Sequence, residues 1–197
     1  MARLIIAAVT GGILFGKLIL PASLVPALDT IVTYSLAIMV FGVGIDIGTN
    51  RAAWRHILSL GWRVLLVPAA VAAGSLLGAG LAAPVLAMPL KEVLAVGAGL
   101  GWYSLSGPLI AQIYNAELGT IAFLANMSRE LLAFVIIPLV ARIAGSVAAI
   151  APGGATAMDS TLPVVTKVTD SKTGLMAFVS GLVLTLVVPV LIPFILT

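Results

Sequence analysis

Runs of about twenty apolar residues recur along almost the whole sequence, the length an α-helix needs to cross the hydrocarbon core of a bilayer. Between them stand only short turns marked by proline, glycine or a few charges. With 61% of its 197 residues hydrophobic and 9% charged, the chain is unlike a soluble domain, in which about a quarter of residues are charged. No polar stretch is long enough for a separate globular domain, so 1–197 reads as a single transmembrane domain. The expected class is all-α, a polytopic integral membrane protein embedded in the lipid bilayer. The net charge of +3 comes from scattered Lys and Arg at expected membrane edges, not from a basic face that would hold nucleic acid. Zero cysteines exclude disulfides and thiolate chemistry. The single histidine, His56, stands beside Arg55 at such an edge, which leaves no His-based metal site, and nothing implies a cofactor.

Taken in order, residues 4–20 resemble a signal peptide, but Lys17 follows the apolar run and no small-x-small site precedes Pro21. They are read as a retained first transmembrane helix. Residues 27–47 form a second, with Asp29 and Asp46 near its ends as boundary charges. Residues 54–77 form a third, anchored by Arg55, His56, Trp62 and Arg63. Its small residues from Ala69 to Ser75 suit close helix packing in lipid. Segment 93–113 is different. Gly97-Ala-Gly-Leu-Gly101 followed by Trp102-Tyr-Ser-Leu-Ser-Gly-Pro108 makes a poor continuous helix. Such backbone is tolerated at membrane depth only where protein buries it or water reaches it. Segment 118–143 is a strong helix. Segment 148–168 is interrupted again, by Pro152-Gly153-Gly154, and 173–196 is plain hydrocarbon to the end.

Charge placement favours five full spans and two broken or re-entrant segments, with the amino terminus cytoplasmic and the carboxy terminus outside. Arg3, Arg51, Arg55, Arg142, Lys167 and Lys172 then share the cytoplasmic side, as the positive-inside rule prefers. Outside stands Lys91, neutralised by Glu92. Each interrupted segment precedes a plain helix, the layout that points to a midplane site in secondary transporters. No clear residue-by-residue repeat accompanies it, so the likeness is one of layout.

The candidate chemistry lies in Asn126-Met-Ser-Arg-Glu130, midway along an apolar run, and in the second break. Charges in hydrocarbon are costly and usually mark ion or substrate pathways. On a helix Asn126, Arg129 and Glu130 share one face. A purely structural reading has Arg129 neutralise Glu130, but Asp159 adds an acid beyond what one arginine balances. If Gly153 and Gly154 unwind the chain, freed carbonyls and the hydroxyls of Thr156, Ser160 and Thr161 are available to a cation or ammonium group near Asp159. A carboxylate withdrawn from water takes up a proton more readily, so two such acids suit alternating occupancy by protons and a cationic solute. At the first break Gly99 and Gly101 lead into Trp102, Tyr103, Ser104 and Ser106, an aromatic face with hydroxyls suited to a cation. Gly97, Gly99 and Gly101 lack the βαβ context of a dinucleotide fingerprint. A serine hydrolase is not supported, because no base stands near Ser104 or Ser106.

Gly101-Trp-Tyr-Ser-Leu-Ser-Gly107, Ser128-Arg-Glu-Leu131 and Gly153-Gly-Ala-Thr-Ala-Met-Asp159 with Thr161-Leu-Pro163 together resemble the bacterial lysine exporter family LysO, over essentially the whole chain. The resemblance implies export of L-lysine and close cationic analogues across the bacterial inner membrane. It also implies reliance on two intramembrane acids, which by motif position fall on Glu130 and Asp159. These acids are expected to couple export to proton entry, and no enzyme activity is expected. The alternatives are a transporter or channel for another cationic or zwitterionic solute, or a membrane subunit active only with a partner chain. Many members carry about three further amino-terminal segments. That difference implies a small membrane partner subunit or a homo-oligomer.

Overall fold

A computed structural model describes residues 61–197 and, before them, positions scattered between 11 and 49. The chain divides into two compact units, Met1–Met39 and Val40–Thr197. In the first, the described positions from 11 to 18 and from 27 to 38 are helical. Lys17, Asp29, Asp46, Arg51, Arg55 and His56 lie outside the described residues, and so do most of the two expected spans around them. Every element from residue 61 onward belongs to the second unit.

A 3-10 turn, Trp62–Leu65, leads into α1, Leu66–Leu86. The helix runs nine residues beyond the expected end at 77. Gly78 and Gly80 do not stop it, because an isolated glycine only weakens a helix. Ala87, in the left-handed region at φ 52°, ends it. The first interrupted segment is α2, Leu90–Gly97, and α3, Tyr103–Ile113. The second is two 3-10 turns, Ala148–Ile150 and Gly154–Met158, followed by α5, Leu162–Val168. Between them runs α4, Ala116–Ala144, and after them α6, Ser171–Leu196. Among the described residues Arg63–Leu86, Ala116–Ala144 and Ser171–Leu196 are long and apolar enough to span a membrane. At 1.5 Å per residue α4 is about 43 Å long, so both its ends clear a hydrocarbon core of about 30 Å. Among its described residues the second unit is therefore all-helical membrane protein with three spans and two interrupted segments. Half of the apolar stretch of α6 is buried inside the protein, against 17% for α1 and α4, which makes α6 the central helix.

Both interrupted segments re-enter. The Tyr114 hydroxyl, just past α3, donates to Glu92 Oε1 in the first turn of α2 at 2.8 Å. The two ends of that segment therefore lie at one end of the bundle, where α4 begins. The second segment comes from the other end. Ala149, Ile150 and Val165 pack with Ala133 and Ile137 in the second half of α4 and with Ala177 in the first half of α6. The alanines in this cluster let backbones approach closely, as packing in lipid requires.

A residue-by-residue repeat does exist, contrary to the sequence expectation. Both long helices start on a side-chain cap: Asn115 accepts from Leu118 N at 2.7 Å, and Asp170 from Thr173 N at 2.8 Å. From 115 to 170 is 55 residues, and that shift also pairs Gly99 with Gly154, Ser106 with Thr161, Pro108 with Pro163, Gly119 with Gly174, Phe123 with Phe178 and Pro138 with Pro193. The packing repeats as well. A methyl on Gly119 would strike Ala111, and one on Gly174 would strike Thr166, which are again 55 apart. The repeat escapes hydropathy because its mid-helix partners differ in chemistry, Asn126 against Gly181 and Glu130 against Thr185.

The two breaks meet backbone to backbone. Ala155 N donates to Leu100 O at 2.9 Å. Leu100 itself has φ 49°, Gly101 φ 95° and Gly154 φ 59°. A Cβ on Gly154 would collide with Leu100 O, and a left-handed non-glycine residue costs about 1–2 kcal/mol before any collision. Gly154→Ala is expected to lower the melting temperature of the detergent-solubilised protein. Gly78→Ala, where nothing lies within 4 Å, is expected to leave it unchanged or raise it slightly. Thermal circular dichroism of both variants checks the opposite signs.

Candidate functional site

Backbone that leaves a helix at membrane depth must find partners, because each unsatisfied group costs several kcal/mol in hydrocarbon (about 4–8 by alkane transfer). Two side chains of α4 supply them. Asn126, 3% exposed, holds the first break. Its Oδ1 accepts from Gly101 N at 2.7 Å, and its Nδ2 donates to Val96 O at 3.0 Å and Ala122 O at 2.9 Å. Gly99 lies directly beneath it, where a Cβ would overlap the amide and approach Ser106 Cβ to 2.8 Å. One turn on, Arg129 holds the second break. It donates to Pro152 O at 3.2 Å, Ala151 O at 3.1 Å and Ser75 Oγ of α1 at 2.9 Å.

Arg129 therefore does not neutralise Glu130. Its planar fork is matched to carbonyl dipoles freed by the Pro-Gly-Gly break, a use that suits guanidinium and not ammonium. Glu130 instead lies near Tyr103, and the charges of both Glu130 and Asp159 bear on the Tyr103 hydroxyl. The Tyr103 ring is held edge-on against Phe123, centroids 5.4 Å apart at 83°. Asp159 is exposed at the end of the second 3-10 turn, and its carboxylate accepts from Ser160 N. Two carboxylates thus lie near one phenol close to where the breaks cross, and among the described residues no ion pair engages either of them.

The remaining candidates divide by what their polar atoms do. Thr156 donates to Gly153 O at 2.8 Å, and Thr161 to Thr156 O at 3.0 Å, so these hydroxyls shape the second break. Ser104 and Ser160 are exposed, Trp102 caps α3 half-buried, and Ser106 is fully buried with its hydroxyl unpartnered. Gly101 and Gly153 face each other, a Cβ on the former reaching Gly153 O at 3.2 Å. Four participants were not singled out from sequence: Ser75, Leu100, Phe123 and Met158. Only Ser75 carried a signal, as the one hydroxyl in the small-residue stripe of α1. An open groove of about 310 Å³ runs beside Arg129, lined by Ala125, Ser128, Leu132, Ala133, Ile136 and Pro152. It is almost wholly apolar and includes neither carboxylate, so it is not where a charged solute would be held.

Asn126→Ala would leave Gly101 N–H without its partner, at about 1–3 kcal/mol, and would leave Val96 C=O only its bond from Gly99 N. Arg129→Lys would replace a fork on three acceptors with one point charge. Both variants are expected to melt several degrees below the unmodified protein in detergent, and a melting point unchanged in either would remove that residue from the clamp.

Comparison with known proteins gives a consistent result. The family model described as Lysine exporter LysO matches residues 6–196. The lysine exporter LysO of Escherichia coli strain K12 is 37% identical over 161 residues, 82% of this chain and 53% of that protein. A protein of Haemophilus influenzae whose name also refers to lysine export is 35% identical over 161 residues, 82% of either chain. The chain thus spans about half the length of the first relative and about four fifths of the second. No solved structure matches.

Proposed function

This chain belongs to the lysine exporter LysO family, and from that premise we propose that it exports L-lysine across the bacterial inner membrane in exchange for protons. The observation that supports the reading is that Arg129 is engaged by Pro152, Ala151 and Ser75, leaving Glu130 and Asp159 near Tyr103 beside the crossing of the two breaks. Two carboxylates without a fixed counter-cation among the described residues select for a mobile one. The ammonium of a lysine side chain fits, and so does a proton, so occupancy by one excludes the other. Tyr103, near Glu130, offers a ring face to an ammonium group.

The re-entrant arrangement supports alternating access. Segments that enter from opposite ends and meet at mid-depth leave a thin barrier on either side of the crossing. Arg142, Lys167 and Lys172 belong to the end from which the second segment enters, and by the positive-inside rule that end faces the cytoplasm. Lysine then reaches Asp159 first, passes to Glu130 and leaves along the first re-entrant segment, whose end carries Glu92 and Glu117. This orientation is the one in which the carboxy terminus lies outside.

Purified protein in liposomes loaded with labelled lysine tests the proposal. An inward proton gradient is expected to drive lysine out, and arginine or ornithine to compete better than neutral amino acids. Glu130→Gln and Asp159→Asn are each expected to lower the rate at least 100-fold while keeping the melting temperature of the unmodified protein. Normal rates in both variants would sink the site, and no lysine movement under any gradient would sink the substrate.

A further inference from the structure

The 55-residue repeat relates the two re-entrant units position by position. Applied to Tyr103, Ser104 and Glu130 it gives Met158, Asp159 and Thr185. The two trios are built alike. In the first, the mid-helix residue of α4, Glu130, lies near the residue that follows the break, Tyr103. In the second, the mid-helix residue of α6, Thr185, reaches Met158 Sδ with its hydroxyl at 3.6 Å. Each trio also holds one carboxylate and one hydroxyl at its two remaining positions, but in exchanged places. Ser104 of the first trio corresponds to Asp159 of the second, and Glu130 corresponds to Thr185.

We infer that Met158, Asp159 and Thr185 form the second half of the transport site, with the Thr185 hydroxyl supplying a contact to the solute in the place Glu130 holds in the first half. The proposal rests on the exporter reading for the solute's identity. It follows physically from how charge must be divided. Two carboxylates at mirror-equivalent positions would face each other across the crossing, and like charges so placed cannot both stay ionised. Exchanging acid and hydroxyl between the halves keeps one negative charge in each while preserving a polar atom at all four positions. A solute passing from one half to the other then meets a carboxylate and a hydroxyl in both. Thr185 is 2% exposed on the central helix, where a plain packing position would be aliphatic like its neighbours Leu184 and Leu186. In this structure its hydroxyl donates to Gly181 O at 2.9 Å, so it is held without a partner that would block a second contact through the oxygen lone pairs.

Thr185→Val removes the hydroxyl and keeps the shape. In lysine-loaded liposomes it is expected to raise the half-saturating lysine concentration about fivefold, the loss of one neutral hydrogen bond, with little change in maximal rate. Thr185→Ser is expected to restore it to within about twofold. Thr120→Val is the control, because Thr120 makes the same bond to a carbonyl four residues back, at 2.8 Å on an exposed face of α4. An unchanged half-saturation in Thr185→Val, or a loss that follows melting temperature and that Thr185→Ser leaves unrepaired, overturns the proposal. The chain has no native cysteine, which allows a second readout independent of lysine. Single variants Thr185→Cys and Ser104→Cys are expected to react with a water-soluble thiol reagent at rates within about tenfold of each other, whereas Leu186→Cys, on the apolar face, stays inert. If Thr185→Cys is as inert as Leu186→Cys beside a reactive Ser104→Cys, the half-site falls whatever the solute. If the unmodified protein moves no lysine but Thr185→Cys reacts, the substrate reading alone fails and the half-site stands.

Discussion

The hydrogen bond from Ala155 N to Leu100 O is the contact on which the rest of this structure depends. It joins two stretches of irregular backbone where lipid would tolerate neither. Exposed N–H and C=O groups cannot persist in hydrocarbon, so each break must be closed from several directions at once. The crossing satisfies one pair of groups. Asn126 satisfies Gly101 and Val96, and Arg129 satisfies Ala151 and Pro152. The glycines follow from the same constraint. Gly154 has both a left-handed φ and Leu100 O where a Cβ would be, so no other residue fits without moving the crossing.

That constraint also decides the electrostatics. A guanidinium beside a carboxylate on one helix invites the reading of an ion pair. Here the breaks claim Arg129 first, because carbonyls released from helical bonding are strong acceptors with no other donors near them. Glu130 is left near the Tyr103 phenol, and Asp159 is exposed with a backbone N–H as its partner. The price of building two re-entrant segments is thus a half-buried arginine given over to backbone carbonyls, so that Arg129 does not pair with the acid beside it. Structure and chemistry are linked through that one competition.

Much of this was legible in the sequence. Apolar runs gave the spans because a bilayer demands about twenty residues per crossing. Gly97 to Gly101 and Pro152 to Gly154 gave the breaks because they are poor in a continuous helix. The motifs gave the family. Three things were hidden. Adjacency of Arg129 and Glu130 in sequence says nothing about which acceptors a long side chain finds. Re-entry depends on the Tyr114 to Glu92 contact, which no hydropathy pattern encodes. The repeat was masked because its shared residues are caps, glycines and prolines spread over some fifty positions, whereas its functional positions exchange acid for hydroxyl. Only the equivalent caps at Asn115 and Asp170 set the alignment.

The proposed exchange has one mobile cation replace another at a pair of carboxylates that Arg129, engaged by the breaks, does not neutralise. Lumenal pH recorded with a trapped dye tests it most directly, in liposomes held at zero membrane potential and given an outward lysine gradient with no initial pH difference. The account requires the lumen to acidify as lysine leaves, at a rate that follows lysine efflux. Lysine efflux with a steady lumenal pH would contradict it.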